Sequence, residues 1–279
     1  MRSHFAHKDE VKFTMLSVEP RKFHQVVSDL RRAVFSVIRD RPNLAGNVDS
    51  AALGTGFFIR PDVFMSCDHV MNPTAAPHQA GDSYRLIANL MGDDATVHVV
   101  QTPQIGRELS LFPELDLAVL QVPNAPDQEF ASICYSDVLV GHEIGVVGYP
   151  LAKLGTDAGG NLLLDGLIYR AGRGVITGRF SGDLNGNATA IPLLEVNFMF
   201  VSGNSGGPVF DPETGRVLGM VQGIQWFKIA EQLVAVNAAP GQLPLGIPPV
   251  YVAPVLAVYS RAIKLDCFRT VLDGFGITA

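Results

Sequence analysis

The chain has 279 residues, of which 47% are hydrophobic, and it contains 28 glycines and 18 prolines. This composition supports a large core built from many short strands and tight turns, and the length is common for a single all-β unit. The formal net charge of −6 argues against nucleic acid as a partner, because binding to phosphates needs a basic face.

The N-terminus predicts neither a signal peptide nor a membrane anchor. Its first ten residues have no apolar core, and no run of about 18 apolar residues occurs in the chain. The three cysteines, Cys67, Cys134 and Cys267, are odd in number and far apart, which predicts reduced thiols. These features favour a cytoplasmic location without a membrane partner. No metal-ligand spacing occurs, so neither a metal nor a cofactor is expected.

Residues 1–50 are predicted to be an N-terminal extension that contains a helix near 20–40. Pro20 suits a first helical turn. Apolar residues then recur at helical spacing, at Phe23, Val26, Val27, Leu30, Val34 and Ile38. A segment rich in Pro, Asn, Gly and Asp follows at 41–50 and reads as a link.

Short apolar runs separated by turn residues predict strands over most of the remaining chain. In the first half they lie near 54–60, 63–67, 84–90, 95–101 and 116–122. In the second half they lie near 143–148, 163–170, 172–179, 192–197, 207–210 and 216–224. Residues 240–249 are rich in proline and read as a linker, and residues 253–279 are predicted to be a helical tail.

A glycine-rich turn at residues 201–209 places Ser205 just ahead of an apolar run. Glycines on both sides allow backbone conformations that a Cβ would forbid. The amides of Gly203 and Ser205 can therefore point at one spot, as an oxyanion hole requires. A serine hydroxyl is a poor nucleophile until a base takes its proton, so the hypothesis requires a base and a group that orients it.

Both groups occur upstream of the serine. An apolar run ends at His69, and Asp116 enters another apolar run. The chain order is His, Asp, Ser, so we expect His69 as general base, Asp116 as the acid that orients it, and Ser205 as nucleophile. Asp68 is a competing acid. If it lies on a strand, its side chain points away from that of His69, so Asp116 is preferred.

Six sequence blocks carry a resemblance to a known family. They begin at Gly54 (GTGFFI), Cys67 (CDHV), Asp116 (DLAVL), Gly148 (GYPL), Gly174 (GVITG) and Gly203 (GNSGGP). Over residues 50–255 the chain resembles the trypsin-like serine peptidases, and among them the bacterial Deg/high-temperature-requirement type. The resemblance implies an all-β fold of two six-stranded antiparallel β-barrels, at about 52–123 and 143–252 within a protease domain at 51–252. Helices flank this domain, and the length leaves no room for the PDZ domain that many of these enzymes append.

The resemblance also places a specificity pocket. Met199, six residues before Ser205, stands where trypsin-like enzymes place an acid that binds Lys or Arg. Gln222, Gly223 and Ile224 fall on the edge strand that pairs with the substrate backbone, and Ser202 lies beside the oxyanion turn. An apolar Met199 and a branched Ile224 predict a shallow pocket for small or medium aliphatic residues, because a buried cation without a partner costs several kcal/mol, roughly.

The leading hypothesis is therefore a serine endopeptidase that acts on a protein or peptide substrate through an acyl-enzyme. A second hypothesis is a non-catalytic or conditionally inactive protease-fold module, for which an activator protein is a candidate partner. A third is an esterase, since the same chemistry cleaves esters. The sequence leaves the oligomeric state open.

Overall fold

The structure is a computed structural model that describes residues 21–89, 97–102, 108–122, 128–150, 152–156, 162–165, 167–183, 190–235 and 250–278. Among these residues, no helix has the length and hydrophobicity needed to cross a membrane. The linker predicted at 240–249 lies outside the described residues.

Seven antiparallel strands and two short helices form the first half. They are α1 (Phe23–Leu30), β1 (Val34–Pro42), β2 (Val48–Arg60), β3 (Val63–Ser66), α2 (Asp68–Met71), β4 (Ser83–Asn89), β5 (Val97–Thr102), β6 (Leu109–Phe112) and β7 (Leu117–Gln121). The strands form one sheet in the order β5-β4-β1-β2-β3-β7-β6. Interlocked aromatic rings fill its inner face, since Phe58 packs edge-on against both Phe35 and Phe64.

The second half contains a closed six-stranded barrel. Its elements are β8 (Glu143–Gly148), β9 (Lys153–Thr156), β10 (Leu162–Asp165), β11 (Arg170–Asp183), β12 (Ala190–Val196), β13 (Pro208–Phe210), β14 (Val217–Ala235), β15 (Val250–Lys264) and α3 (Arg269–Gly274). The barrel order is β11-β12-β15-β14-β13-β8, while β9 and β10 form a separate two-stranded sheet. The all-β class is confirmed, although the predicted strand at 163–170 contributes to this small sheet instead of the barrel.

The helix predicted at 20–40 is wrong beyond Leu30. The first turn is fixed by the Lys22 amide, which donates to the side chain of Gln25 at 2.9 Å. Residues 34–40 instead form the buried strand β1, which lies between β2 and β4. The strand is buried on both faces, so apolar residues occur at successive positions in it. Some of these positions also match the spacing of a helix. The first sheet has seven strands in the described residues, which are the five predicted ones together with β1 and β6, where the resemblance implied six.

The helical tail predicted from residue 253 is also wrong over its first half. Residues 250–264 form β15, which pairs with β14 along its whole length and with β12 at its C-terminal end. Valine and tyrosine recur in this segment and favour an extended backbone over a helix. Helical structure begins only at Leu265, in a 3₁₀ turn that leads into α3. The end of the chain contacts the first half, where Arg60 Nη1 donates to the carbonyl of Phe275 at 2.7 Å.

Candidate active site

The side chains of His69 and Asp116 are in contact where β3 ends and β7 begins. His69 lies in α2, immediately after β3, and Asp116 lies immediately before β7, the strand that pairs with β3. The His69 Nδ1 is 2.8 Å from Asp116 Oδ2 and 2.9 Å from Oδ1. The His69 backbone amide also donates to Asp116 Oδ1, at 3.0 Å. Two neighbouring strands thus bring together residues 47 positions apart in sequence.

The Asp116 carboxylate is fully buried, and its negative charge is compensated by hydrogen-bond donors. Besides the two nitrogens of His69, the side-chain amide of Gln222 donates to Asp116 Oδ2, at 3.4 Å. Asp116 has a φ of 50°, the one positive φ outside glycine in the described residues. Aspartate tolerates this left-handed conformation better than most residues. The backbone is therefore held in an unfavourable region where the carboxylate faces His69.

The turn that carries Ser205 docks onto the first half through Thr55, which sequence reasoning did not single out. The Thr55 amide donates to the carbonyl of Ser205 at 2.9 Å. Its hydroxyl donates to the carbonyl of Gly203 at 2.6 Å and accepts from the amide of Tyr149 at 3.0 Å. The available signal was its place between two glycines in the GTGFFI block. Thr55 fixes the serine turn relative to the sheet that carries His69.

Gly206 is required by the space around this turn. It has a φ of +83°, and a Cβ built on it would lie 2.1 Å from the carbonyl oxygen of Thr55 and 2.3 Å from Ser66 Oγ. The first contact is with the backbone, and Ser66 Oγ is held by the hydrogen bond that it donates to the same Thr55 carbonyl, at 2.7 Å. Any side chain at position 206 would push the Ser205 turn away from β2 and β3.

The Ser205 hydroxyl donates to the carbonyl of Gln222, at 3.1 Å. Within the part of the chain that the structure describes, it makes no hydrogen bond with His69. Gln222 therefore contacts two of the three predicted catalytic residues, through its carbonyl to Ser205 and through its side chain to Asp116. Sequence reasoning had placed Gln222 only on the substrate edge and missed the contact with Asp116.

The amides of Gly203 and Ser205 donate no hydrogen bond to any residue that the structure describes. The neighbouring amides of the turn are engaged: that of Asn204 donates to Val201, that of Gly206 to Val221 and that of Gly207 to Asn204. Gly203 has a φ of 95°, which a residue with a Cβ rarely adopts. Two amides on either side of Asn204, without a partner among the described residues, are the donors expected of an oxyanion hole.

The predicted pocket residues lie in different surroundings. Met199 is 63% exposed and borders a cavity of about 290 Å³ together with Phe198, Tyr259 and the carboxylate-bearing Glu195. Ile224 is half-buried against the core of the second barrel. Ser202 and Gly203 border a smaller cavity, of about 50 Å³, on the side of Gly54 and Tyr149. A Cβ on Gly223 would meet no atom within 4 Å, so the face of β14 is open at this position.

Asp68 lies in α2, and the strand geometry assumed for it in the sequence analysis is wrong. It is buried, and one of its carboxylate oxygens has no hydrogen-bond partner among the described residues. Burial, and then the negative charge of Asp116, raise the pKa of Asp68 to about 6. Among the described residues, the Nδ1 of His69 is hydrogen-bonded to Asp116 and not to Asp68.

Cys67 completes a cluster of potential metal ligands with His69 and Asp116. One ligand atom from each lies within 4.8 Å of the other two. Burial, reinforced by Asp116, raises the pKa of the Cys67 thiol well above its usual range, and the thiol donates to the carbonyl of Val221. A cation there would have to replace the hydrogen bonds between His69 and Asp116. The donor set thus fits a hydrogen-bonded pair better than a metal centre.

Comparison with known proteins supports the resemblance seen in the sequence. The family model described as the trypsin-like peptidase domain matches residues 54–220. A probable periplasmic serine endoprotease DegP-like from Brucella suis biovar 1 is 29% identical over 212 residues, which cover 75% of this chain and 33% of that protein. The serine protease Rv3671c from Mycobacterium tuberculosis is 28% identical over 191 residues, covering 67% of this chain and 40% of that protein. The aligned part is therefore about a third to two fifths of the length of these relatives.

Solved structures share the fold. The active form of the Rv3671c protease from M. tuberculosis superposes with a TM-score of 0.54 and 22% identity, covering 94% of this chain and 89% of that one. An inactive form of the same protease gives a TM-score of 0.50 at 22% identity, with 93% and 98% covered.

Proposed function

The chain belongs to the trypsin-like peptidase family, and on that premise we propose that it is a serine endopeptidase acting on a protein or peptide through an acyl-enzyme intermediate. The observation that carries the proposal is the pair formed by the buried Asp116 carboxylate and His69 Nδ1. A carboxylate bonded to Nδ1 selects the tautomer in which Nε2 carries the lone pair. His69 is thereby prepared to accept a proton.

The proposed reaction begins when Ser205 Oγ attacks the peptide carbonyl carbon and its proton passes to His69 Nε2. The amides of Gly203 and Ser205 donate to the oxyanion that forms. The C–N bond then breaks as His69 returns the proton to the leaving amine. Water repeats the sequence on the acyl-enzyme, so that the acid product and the free Ser205 hydroxyl are released.

The hydrogen bond from Ser205 to Gln222 bears on the second candidate function. For attack, the hydroxyl has to rotate from the Gln222 carbonyl toward His69. A module that stays inactive until an activator binds would hold the serine in this way. This observation keeps the conditional form of the function as the alternative to a constitutively active enzyme.

The test is covalent labelling by a fluorophosphonate, which reacts quickly only with an activated serine. We expect rapid labelling of the native protein and none of Ser205→Ala or His69→Ala. Ser181→Ala, at an exposed serine on β11, is the matched control and should label like the native protein. Labelling that persists in Ser205→Ala would place the nucleophile elsewhere, and absent labelling of the native protein would favour the conditionally inactive module.

The proposed preference is for small or medium aliphatic residues before the scissile bond. Met199 supplies no counter-charge for Lys or Arg, and Ile224 narrows the site if it borders it. The preference should be modest, because one methylene in an apolar pocket contributes only about 1–3 kcal/mol. Glu195 is the competing influence, since its carboxylate borders the same cavity as Met199 and accepts from Thr177 Oγ1 at 2.8 Å.

Profiling of a peptide library decides between these influences. Cleavage mainly after Val, Ala, Leu or Met would support the aliphatic proposal. Cleavage mainly after Lys or Arg that disappears in Glu195→Gln would assign the pocket to Glu195 instead. The Met199→Asp variant tests whether position 199 borders the pocket. If it does, this variant should cleave after Lys or Arg more than the native protein does.

The cytoplasmic location is part of the proposal and rests on the cysteines. All three thiols are free in the structure. The Brucella relatives are named as periplasmic, so the cysteines and the relatives favour different compartments. Fractionation of cells that express the protein at its native level tests the location directly.

A further inference from the structure

We infer that β14 binds the substrate well beyond the specificity pocket, as a template that pairs with up to seven residues before the scissile bond. The inference rests on the proposed peptidase function and names the substrate it requires, an extended polypeptide. It is carried by the length of β14, which runs for 19 residues and continues far past Gln222.

One edge of β14 has no neighbouring strand after Met220 in the described residues. On that side β13 pairs only with residues 217–220 of β14. On the other side β15 pairs with β14 as far as Ala235. The third strand of this region, β12, pairs with β15 only up to Ser260. Residues 225–235 and 250–259, here called the arm, therefore form a two-stranded ribbon that extends from the barrel.

A ribbon of two strands is only marginally stable in water, and an open edge invites a further strand. The arm begins three residues after Gln222, which contacts Ser205, so a strand added along this edge is continuous with the reaction site. The arm sequence is also poor in charge: Lys228 and Glu231 are its two charged residues in 225–235, and 250–259 has none. The arm should therefore discriminate little between substrates whose residues differ in charge.

The backbone direction fixes which groups face this edge. The carbonyls of Val221 and Gln222 both point toward the Ser205 turn, accepting from the Gly206 amide at 2.8 Å and from the Ser205 hydroxyl at 3.1 Å. The bulge between Val221 and Gly223 accounts for two successive outward carbonyls. Backbone groups alternate along a strand, so those of Ile224, Trp226 and Lys228 face the open edge.

The substrate direction follows from the position of Ser205. No residue of β14 lines the smaller cavity beside Ser202 and Gly54, so we assign the residues after the scissile bond to that cavity. Residues before the bond then run along β14, antiparallel to it. The first such residue lies at Gln222, the third at Ile224, the fifth at Trp226 and the seventh at Lys228. A second bulge, between Lys228 and Ala230, breaks the alternation and sets the limit.

The first experiment uses N-acetylated, internally quenched peptides that share one cleavage site and are extended one neutral residue at a time toward the N-terminus. We expect kcat/KM to rise when the fifth and seventh residues are added, by about tenfold in total, since each adds backbone hydrogen bonds. It should level off beyond the seventh. N-methylation of the fifth residue's amide should remove the gain, whereas N-methylation at the fourth or sixth should not.

The matched protein variant replaces residues 228–256 by an Asn-Gly turn, which joins Phe227 to Ala257, its partner in the β14–β15 register. It should label with fluorophosphonate at the native rate. Its kcat/KM should equal that of the native protein for the peptide with three residues before the scissile bond. For this variant, kcat/KM should still rise when the fifth substrate residue, which pairs at Trp226, is added. It should not rise further when the seventh residue is added.

The outcomes separate the arm from the proposed function. Peptide hydrolysis that does not depend on length overturns the template and leaves the peptidase intact. If no peptide is hydrolysed, the peptidase proposal fails, and hydrogen exchange of the β14 amides with the longest peptide decides the template by itself: protection supports it and unchanged exchange overturns it. A dimer that forms through the arm and persists with excess long peptide would assign the edge to a second copy of the chain.

Discussion

The pairing of His69 with Asp116 depends on a backbone conformation that the chain adopts at a single residue. Asp116 combines full burial, a positive φ and three N–H donors around one carboxylate. Burial of the carboxylate and the positive φ are each unfavourable for stability, and the three donors offset the cost of burying the charge. Together they hold the imidazole of His69 in one orientation, which is the role proposed for Asp116.

Replacement of Asp116 by Asn should lower kcat by up to roughly 10⁴-fold, because the Asn amide favours the wrong tautomer of His69. Asn tolerates the left-handed conformation, so the fold should persist. Asp68→Asn is the matched control, and its kcat should stay within about threefold of the native value. Steady-state kinetics on one peptide substrate compares them. A greater loss in Asp68→Asn than in Asp116→Asn would transfer the orienting role to Asp68.

Asp68 should make stability depend on pH. Its pKa is raised to about 6 in the folded protein, mainly by burial, while an unfolded aspartate titrates near 3.9. Between these values the folded state holds a proton that the unfolded state has lost, so the contribution of Asp68 to stability falls as pH rises from about 4 to 6. Asp68→Asn should therefore be more stable than the native protein by about 2 kcal/mol at pH 8 and equal to it below pH 4. Urea unfolding at both pH values measures this, and a difference independent of pH would contradict it.

At the scale of elements, the serine turn is the part of the site most dependent on shape. Gly206→Ala should lower the free energy of unfolding by about 3 kcal/mol or more, because it combines a positive φ with backbone overlap at Thr55. Gly223→Ala is the matched control, since its Cβ would meet open space. Its effect should stay below about 1 kcal/mol. Chemical denaturation of both variants provides the comparison, and equal destabilisation would show that the packing around residue 206 can adjust.

The sequence predicted well those elements whose apolar pattern is compatible with only one type of secondary structure. Alternation and turn residues identified β2, β3, β4 and β7, and the GNSGGP block located the serine turn. The errors occurred where two patterns coincide. Val34 and Ile38 continue the apolar spacing of α1, yet they lie in a strand buried on both faces, and no local signal separates these cases. The long β14–β15 pairing and the contact of Gln222 with Asp116 depend on tertiary structure, and no short motif encodes them.

At the scale of the whole molecule, the larger of two hydrophobic clusters spans both halves, while the smaller one lies within the second barrel. Phe35, Phe58 and Val119 of the first half belong to the same buried cluster as Phe210 and Ile263 of the second. Thr55 and the contact of Arg60 with Phe275 add hydrogen bonds between distant parts of the chain. No disulfide joins the three cysteines, which are all among the described residues. Cohesion therefore rests on packing and hydrogen bonds.

This arrangement predicts one cooperative thermal transition whose midpoint does not change with dithiothreitol, because reduction has no covalent link to remove.

Thiol reactivity should follow the surroundings of each cysteine. Burial opposes ionisation of Cys134, but hydrogen bonds from Ser136 and the nearby Arg216 outweigh it and lower its pKa, whereas burial raises the pKa of Cys267 to about 11. At pH 8, Cys134 should alkylate first, Cys267 slowly, and the fully buried Cys67 only on unfolding. Calorimetry with and without reductant, and mass spectrometry of alkylated peptides, measure both. A midpoint that falls under reduction would reveal a disulfide and remove the basis for a cytoplasmic location, and two separate transitions would show that the shared core does not couple the halves.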